Sequence, residues 1–462
     1  MPYPDSGVPM LWTLYLPDKS IRLVYALAVL GTCGWTYAPA YADENSPETI
    51  DETTEEKNKP GIYASMKEGL RIRTLDKRYV FKLGGHIQID SHSYDYPADG
   101  LWKNEEQNNH VFDVRRARLE LGVTLSKYYQ AKLTADFANK VELNDAYINL
   151  RYFPAMEIRV GQFIYPFGSE GPTSAKFNEF AESTTIGSAV GSGRDRGLML
   201  FGDTKNNRYM YQFAIMNGVP ENTSNNSDDI DLAVRFVRNP EEVIEEEWNV
   251  WYGLSYSQGG QLARKGKALS LRSESKSGYA FLRAELAEDT KYSRQRMAIN
   301  VTTVKGSGLF KGEYYSASYD FTAKVKLQGY YLIASYFLTG EQRAIDNGLF
   351  DRQPIINAYA PGGGGGAWEL AVRYSVFYAD RKFFEPNGLY AGWEALDPAE
   401  NVNAGYTWVF GVNWYPDTTA RFMLNWIQSY AADELARDLS DARSVKSTKS
   451  ESTLLLRAQL DF

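Results

Sequence analysis

The chain has one cysteine and three histidines in 462 residues. That supply is too small for a disulfide framework, and a structural zinc site would consume most of it. All three histidines lie in the first quarter, at 86, 92 and 110, so no Ser-His-Asp arrangement is expected and the chain does not read as an enzyme. Positive charge is also short: 50 Lys and Arg against 58 Asp and Glu give a formal charge of −8. A nucleic-acid partner would call for a basic footprint. Beyond the N-terminal region no stretch approaches the ~18 apolar residues of a membrane-spanning helix, which excludes a polytopic helical membrane protein. A lipid-facing β-barrel is not excluded, because its strands show only alternate residues to lipid.

The one apolar run is N-terminal. Lys19 and Arg22 precede Leu23 to Leu30, followed by small residues that end in Ala40-Tyr41-Ala42. This is the pattern of a secretory signal peptide over residues 1–42, with Met10 as a second candidate start. The lone Cys33 follows Leu30-Gly31-Thr32, a loose likeness to a lipoprotein box in which Thr32 fits poorly. Cleavage after Ala42 leaves no cysteine, so an exported chain of this length needs another source of stability, and barrel closure supplies one. Residues 43–59 hold seven acids and two lysines with almost no apolar residue, an acidic disordered leader. Residues 60–78 read as a short periplasmic strand segment and 79–462 as a transmembrane β-barrel.

From Tyr79 onward apolar and polar residues alternate over eight to twelve positions between turns of Gly, Asn, Asp and Pro. Ala131, Leu133, Ala135 and Phe137 alternate with Gln130, Lys132, Thr134 and Asp136; Trp408, Phe410, Val412 and Trp414 alternate with Thr407, Gly411 and Asn413. Two faces that meet different solvents produce this pattern. About sixteen such segments occur, near 80–92, 111–126, 129–139, 143–153, 156–164, 194–203, 207–217, 229–239, 247–258, 294–304, 309–321, 326–340, 367–380, 405–415, 418–430 and 452–462. An even count suits a single-chain bacterial barrel. Aromatic pairs at strand ends, such as Tyr152-Phe153, Tyr330-Tyr331, Tyr336-Phe337 and Trp414-Tyr415, read as interfacial girdles. The last segment ends on Phe462, the form of signal read by the outer-membrane assembly machinery.

Strand phase assigns the lumen. The inferred bases are Arg116, Arg118, Lys132, Arg151, Arg159, Arg196, Arg235, Lys324, Lys326, Arg373, Arg421 and Arg457; the inferred acids are Glu120, Asp136, Asp145, Glu157, Asp229, Asp231, Glu369 and Asp461. Bases lining a pore replace the hydration an anion gives up on entry. Arg115, Arg116 and Arg118 form the densest cluster for an anion-attracting wall; the other reading has lumen bases pairing with Glu120, Asp136 or Asp145 on neighbouring strands. His86, Asp90 and His92 alternate on the first strand, but their spread is too long for one ion, so they read as lumen polar residues and no metal or cofactor is expected. The five glycines 362–366 lack a following Lys-Ser/Thr and read as a flexible loop tip.

Several segments resemble the phosphate-selective porin O and P family in order and spacing: FKLGGHIQID (81–90), VRRARLELG (114–122), YYQAKLTADF (128–137), IRVGQFIYPFG (158–168), YYLIASYFLTGE (330–341), GAWELAVRYS (366–375) and FGVNWYPD (410–417). The resemblance implies a sixteen-stranded, homotrimeric porin in the outer membrane of a Gram-negative cell envelope, in contact with outer-membrane lipid. It also implies an inward-folded loop after the fifth strand, here Tyr165 to Gly193, which carries Glu170, Lys176, Glu179 and Glu182. A second long gap, 259–293, reads equally as an inward fold or a plain surface loop. Phosphate-specific members place Arg at the position of His86 and Asp at the position of Asn144, and carry a basic residue where Ser183 stands. The expected function is therefore passive diffusion of small solutes and ions with a weak preference for anions. Two other readings stay open: a phosphate- or polyphosphate-selective channel, and a non-conducting surface or binding protein on a β-barrel or β-sandwich.

Overall fold

The computed structural model describes residues 62–65, 69–95, 110–153, 155–191, 193–219, 221–222, 228–262, 268–276, 279–285, 291–321, 324–384, 396, 401–432 and 450–462. The expected signal peptide, Cys33 and the expected acidic leader lie outside them.

Sixteen antiparallel strands follow one another in chain order: β1 (Val80–Asp95), β2 (His110–Leu125), β3 (Tyr129–Asp136), β4 (Glu142–Phe153), β5 (Met156–Ile164), β6 (Arg194–Asp203), β7 (Tyr209–Met216), β8 (Asp231–Arg238), β9 (Asn249–Leu262), β10 (Lys291–Lys305), β11 (Gly308–Asp320), β12 (Lys324–Phe337), β13 (Ala367–Ala379), β14 (Ala404–Tyr415), β15 (Ala420–Ala432) and β16 (Ser450–Asp461). Each pairs with its neighbour, and β16 returns to β1, from Ser452 opposite Asp95 to Asp461 opposite His86. The sheet is thus a closed barrel without edges, and every strand falls on one of the sixteen alternating segments. A short hairpin, Ile62–Ser65 with Leu70–Thr74, extends the start of β1. At the seam Gly85 N donates to Phe462 O at 2.7 Å and Phe462 N donates to Gly85 O at 3.1 Å. A Cβ on Gly85 would lie 2.1 Å from Arg118 O and 2.8 Å from the Phe462 ring, so only glycine lets the C-terminal ring seat there.

The alternation has the expected consequence. On β12, Val325, Leu327, Tyr331, Ile333 and Phe337 face inward and are buried, while Leu332 and Tyr336 face outward and are more than half exposed. Lys324 and Lys326 fall on this outward face, in phase with Leu332. The sequence reading that put them in the lumen is corrected here: β12 starts at Lys324, and its phase runs from Val325 as an inward residue. Tyr152 and Phe153 are both half exposed, but two other aromatic pairs are split by the pleat. Tyr336 and Trp414 face out, whereas their partners Phe337 and Tyr415 are buried inside, so only one member of each joins a girdle.

The core lies inside the barrel. Three segments fold into it: the loop 165–193, which carries helix α1 (Thr185–Val190); a hairpin formed by Ala268–Arg272 and Ala280–Glu285; and the connection 338–366 between β12 and β13. Phe167 packs on Tyr315 with ring centroids 6.2 Å apart, and Phe281 on Phe377 at 4.9 Å. A Cβ on Gly329 would stand 2.9 Å from Ile186 Cγ1, which is how the wall admits α1. The 259–293 gap therefore does fold inward through its hairpin. The 338–366 connection has no such signal in sequence, being coil without periodicity. It enters from the end that holds Phe462, where Tyr359 N donates to Pro416 O and Arg352 Nη1 to Thr418 O. Filling is uneven: inward side chains of β9 to β16 are buried, while Arg116, Arg118, Glu120, Lys132 and Arg159 on β2, β3 and β5 stay half-buried. The accessible inner wall is centred on β2, β3 and β5.

Candidate functional site

The loop 165–193 crosses the lumen, and a loop in that position exposes backbone carbonyls that need donors. The barrel's own bases supply them. Arg235 Nε donates to Gly168 O (2.9 Å), Arg373 Nη1 to Glu182 O (2.9 Å), Arg421 Nη1 to Asn178 O (2.6 Å) and Arg457 Nη1 to Ala181 O (2.6 Å). Arg296, not foreseen, does the same for Val190 O at 3.1 Å. Wall amides and acids complete the seating: Asn425 Oδ1 accepts from Ala181 N, and the Glu313 carboxylate accepts from both Ser169 N and Ser169 Oγ. The four bases Arg235, Arg373, Arg421 and Arg457 are at most 3% exposed. They hold the loop rather than face the water path.

The charges predicted on the loop are each held by a partner, on the wall, on the loop itself or on the 338–366 connection. Lys176 Nζ stands 3.1 Å from Glu120 Oε1, and Glu182 lies between Arg115 Nε (2.7 Å) and Arg457 Nη2 (2.9 Å). Burial pushes the Glu182 carboxyl up, but Arg115 and Arg457 outweigh it and hold the group far below the usual range. Glu170 accepts from Thr184 N and Oγ1 at 2.8 Å each, ahead of α1; burial pushes its carboxyl up, with Arg373 opposing. Glu179 is fully buried, 3.2 Å from Arg343 Nε of the 338–366 connection. Burial raises its carboxyl to about 7, Arg343 opposing and Glu369 adding to the rise. Arg343, which nothing in the sequence marked, also approaches Glu369 Oε2 at 3.6 Å and donates to Tyr415 Oη at 3.0 Å.

On the accessible wall, charges of opposite sign interleave. Lys176, Glu120, Lys132, Asp145 and Arg194 form one alternating ribbon: Lys132 Nζ lies 3.2 Å from Glu120 and 3.6 Å from Asp145, whose Oδ1 accepts from Arg194 Nε at 2.7 Å. Arg118 Nε donates to Asp136 Oδ2 at 2.8 Å, and Arg151 Nε to Glu157 Oε1 at 2.8 Å. A register shift between Gln88 and Ile89 places Arg115 and Arg116 together, so that both reach inward. Arg116 Nη1 donates to Gln88 Oε1 at 2.7 Å and has no carboxylate within ion-pair distance among the described residues. Arg159 donates to Asn149 Oδ1 at 2.8 Å and lies over Tyr147 and Phe201, at 4.1 and 4.9 Å from the ring centres. Arg196 pairs across the ladder with Gln162, in phase with the exposed Leu198. Thus the structure gathers Arg115, Arg116, Arg118, Glu120, Lys132, Asp136, Asp145, Lys176 and Glu182 at one constriction. It keeps Arg235, Arg373 and Arg421 behind the loop and Lys324 and Lys326 outside. Arg194, which sequence phase missed, joins the constriction from the first position of β6.

His86 and His92 are buried beside this ribbon. His86 Nδ1 is 3.7 Å from Glu120, and Asp90 is taken by Arg457 at 2.7 and 2.6 Å. Among the described residues no group of three His, Cys, Asp or Glu is placed to hold a metal ion. Asn144 occupies a bulge of β4 with its carbonyl accepting from Gln162 Nε2 at 2.8 Å.

The chain is similar in sequence to known proteins. The family model described as phosphate-selective porin O and P matches residues 81–462. Porin O of Pseudomonas aeruginosa is 22% identical over 403 residues, which cover 80% of this chain and 87% of that protein. Among solved structures, an anion-selective porin from Comamonas acidovorans is similar with a TM-score of 0.49 and 9% identity, over 83% of this chain and 100% of that one. OmpT of Vibrio cholerae is similar with a TM-score of 0.49 and 10% identity, over 83% and 98%. The family match runs through all sixteen strands: the chain belongs to the phosphate-selective porin O and P family and is an outer-membrane porin, its barrel forming a channel.

Proposed function

We propose that the channel passes small solutes and ions passively, with a weak preference for anions and no high-affinity phosphate site. The observation that carries this reading is the pairing at the constriction. Glu120, Asp136, Asp145 and Glu182 sit against Lys176, Lys132, Arg118, Arg194 and Arg115, so most of the positive field that a multivalent anion would need is spent within the wall. Arg116 supplies the small excess of positive charge. Replacing a paired carboxylate with phosphate returns little, since the pair must first be broken. Reversal potentials of the purified protein in a KCl gradient test it: a modest anion preference is expected, and strong anion selectivity with micromolar phosphate block overturns it. That second outcome would instead favour a phosphate-selective channel, for which Arg116, with no carboxylate within ion-pair distance among the described residues, is the supporting feature.

The working unit is a homotrimer, with the Phe462 end of the barrel toward the periplasm. What supports the trimer is an asymmetry of the outer wall. Strands β3, β7 and β8 have 8 residues, β5 has 9 and β6 has 10. Eight residues span ~27 Å along the strand, and a 35–45° tilt leaves ~20 Å, short of an apolar band of about 25 Å. The outward side chains at the middle of β3 to β6, Leu133, Ile148, Val160 and Leu198, are aliphatic, with aromatic residues such as Tyr129, Tyr152 and Phe153 only at the turns, whereas Trp408, Phe410, Trp426 and Trp368 line the opposite arc. A short wall with an aliphatic middle fits contact with another subunit, and a tall wall rich in tryptophan fits lipid. Ile148→Lys is expected to release monomer on an unheated gel; an unchanged trimer would contradict the assignment. Phe462, by ending β16 at the seam, is the residue offered to the assembly machinery.

A further inference from the structure

The alternating ribbon suggests what passes the constriction most easily. We infer that the constriction favours small zwitterions, solutes that carry an ammonium and a carboxylate a few ångströms apart. This rests on the reading of a passive, weakly anion-preferring channel and names the solute class within it.

Lys176, Glu120, Lys132, Asp145 and Arg194 alternate in sign, with contacts of 3.1, 3.2, 3.6 and 2.7 Å between successive members. The ribbon joins the constriction loop to β2, β3, β4 and β6, and Lys132 and Glu120 keep 35% and 22% of their side-chain surface accessible. A single anion that engages Lys132 displaces Glu120 or Asp145 and leaves that carboxylate with one base in place of two. A neutral solute breaks nothing but gains nothing. A zwitterion can insert into one link, its carboxylate on Lys132 and its ammonium on Glu120, so that every charge finds a partner before and after. The separation of the two charges in an α-amino acid is close to the length of such a link. Because both new contacts are partly solvated, the gain is small and transient, as transport requires. The second pair, Arg118 with Asp136, repeats the same motif across β2 and β3.

The test compares isomers. Glycine and glycolamide have the same composition, one zwitterionic and one neutral, and potassium glycolate supplies the anion. Osmotic swelling of proteoliposomes holding the purified protein should show glycine entering about threefold faster than glycolamide, the Boltzmann weight of one partly exposed ion pair. In Glu120→Gln the ratio should fall to about one while glycolate entry rises; Lys132→Gln should lose the glycine advantage from the cationic side, with slower glycolate. Variants are scored only when their unheated gel migration matches the parent, and either one suffices. Equal glycine and glycolamide rates in the parent protein overturn the inference, as does an advantage that survives both substitutions. Strong anion selectivity in the KCl gradient would instead remove the underlying reading, so the two failures are distinguishable.

Discussion

Glu179 offers the sharpest energetic test of how the constriction loop is held. It is buried where the loop meets the 338–366 connection, and the groups around it are Arg343 from that connection, Glu369 from β13, Lys311 from β11 and Tyr415 from β14, while Arg421 and Asn413 donate to its backbone carbonyl. Two carboxylates thus share Arg343 at close range, and burial carries Glu179 from 4.5 in the unfolded chain to about 7 in the barrel. The sign follows from linkage. A folded-state value above the unfolded one means that the barrel binds the proton more tightly, so the stabilisation is full below about 4.5 and is lost as pH rises through 7. A displacement of roughly 2.5 pH units corresponds to ~3 kcal/mol. Glu179→Gln fixes the neutral form. At pH 8 it should raise stability by up to about 3 kcal/mol, or some 4 °C for a domain of this size at ordinary unfolding entropy per residue. Below pH 4.5 it should make little difference. The assay is the temperature at which the folded band gives way to the heat-unfolded band on a gel, measured at pH 8 and pH 4 for parent and variant. A variant less stable than the parent at pH 8, or one that keeps the parent's pH dependence, would refute the reasoning and make the Arg343 contact the dominant attachment.

Other outcomes follow from the same geometry. Arg116→Gln removes the one constriction base that has no carboxylate partner among the described residues and should bring the reversal potential in a KCl gradient close to zero. Lys132→Glu sets a third acid between Glu120 and Asp145 and should turn the channel toward cations, whereas Lys324→Glu, on the outer face, should leave selectivity unchanged; a shift from Lys324→Glu would contradict its placement. Gly85→Val drives a side chain into Arg118 O and the Phe462 ring, and should sharply reduce the amount of folded protein recovered from the outer membrane.

Most of the wall was legible because a barrel writes its topology locally. Each strand carries its own alternation, and the solvent on either side enforces it residue by residue. Lys132, Asp136 and Asp145 could be placed inward from their neighbours alone. Phase fails at strand ends, where one residue of uncertainty reverses the face, and this is how Lys324 and Lys326 were misplaced and Arg194 overlooked. It also fails at Arg115, which shares the lumen with Arg116 only through a register shift between β1 and β2. What fills the lumen was less legible. Arg343 sits in coil, and its partners Glu179 and Glu369 come from two other elements. Nor could phase tell that Arg235, Arg373 and Arg421 would be consumed by carbonyls of the loop 165–193, since that depends on the path of a segment with no period of its own. Counting lumen bases against acids therefore overstates the positive field an ion meets.

The seam between β1 and β16 sets the order in which the molecule can be made. Arg457 meets Asp90 from 367 positions further along the chain, so the ring cannot close until β16 has been synthesised and delivered. Until then two long hydrogen-bonding edges and a lipid-facing surface stand open together, and pairing of such distant segments is slow. A chain cut short by even one strand has no alternative partner for β1, and with it loses Arg457, which pins both Asp90 and the loop carbonyl of Ala181. Closure of the wall and fastening of the constriction by Arg457 are thus a single event.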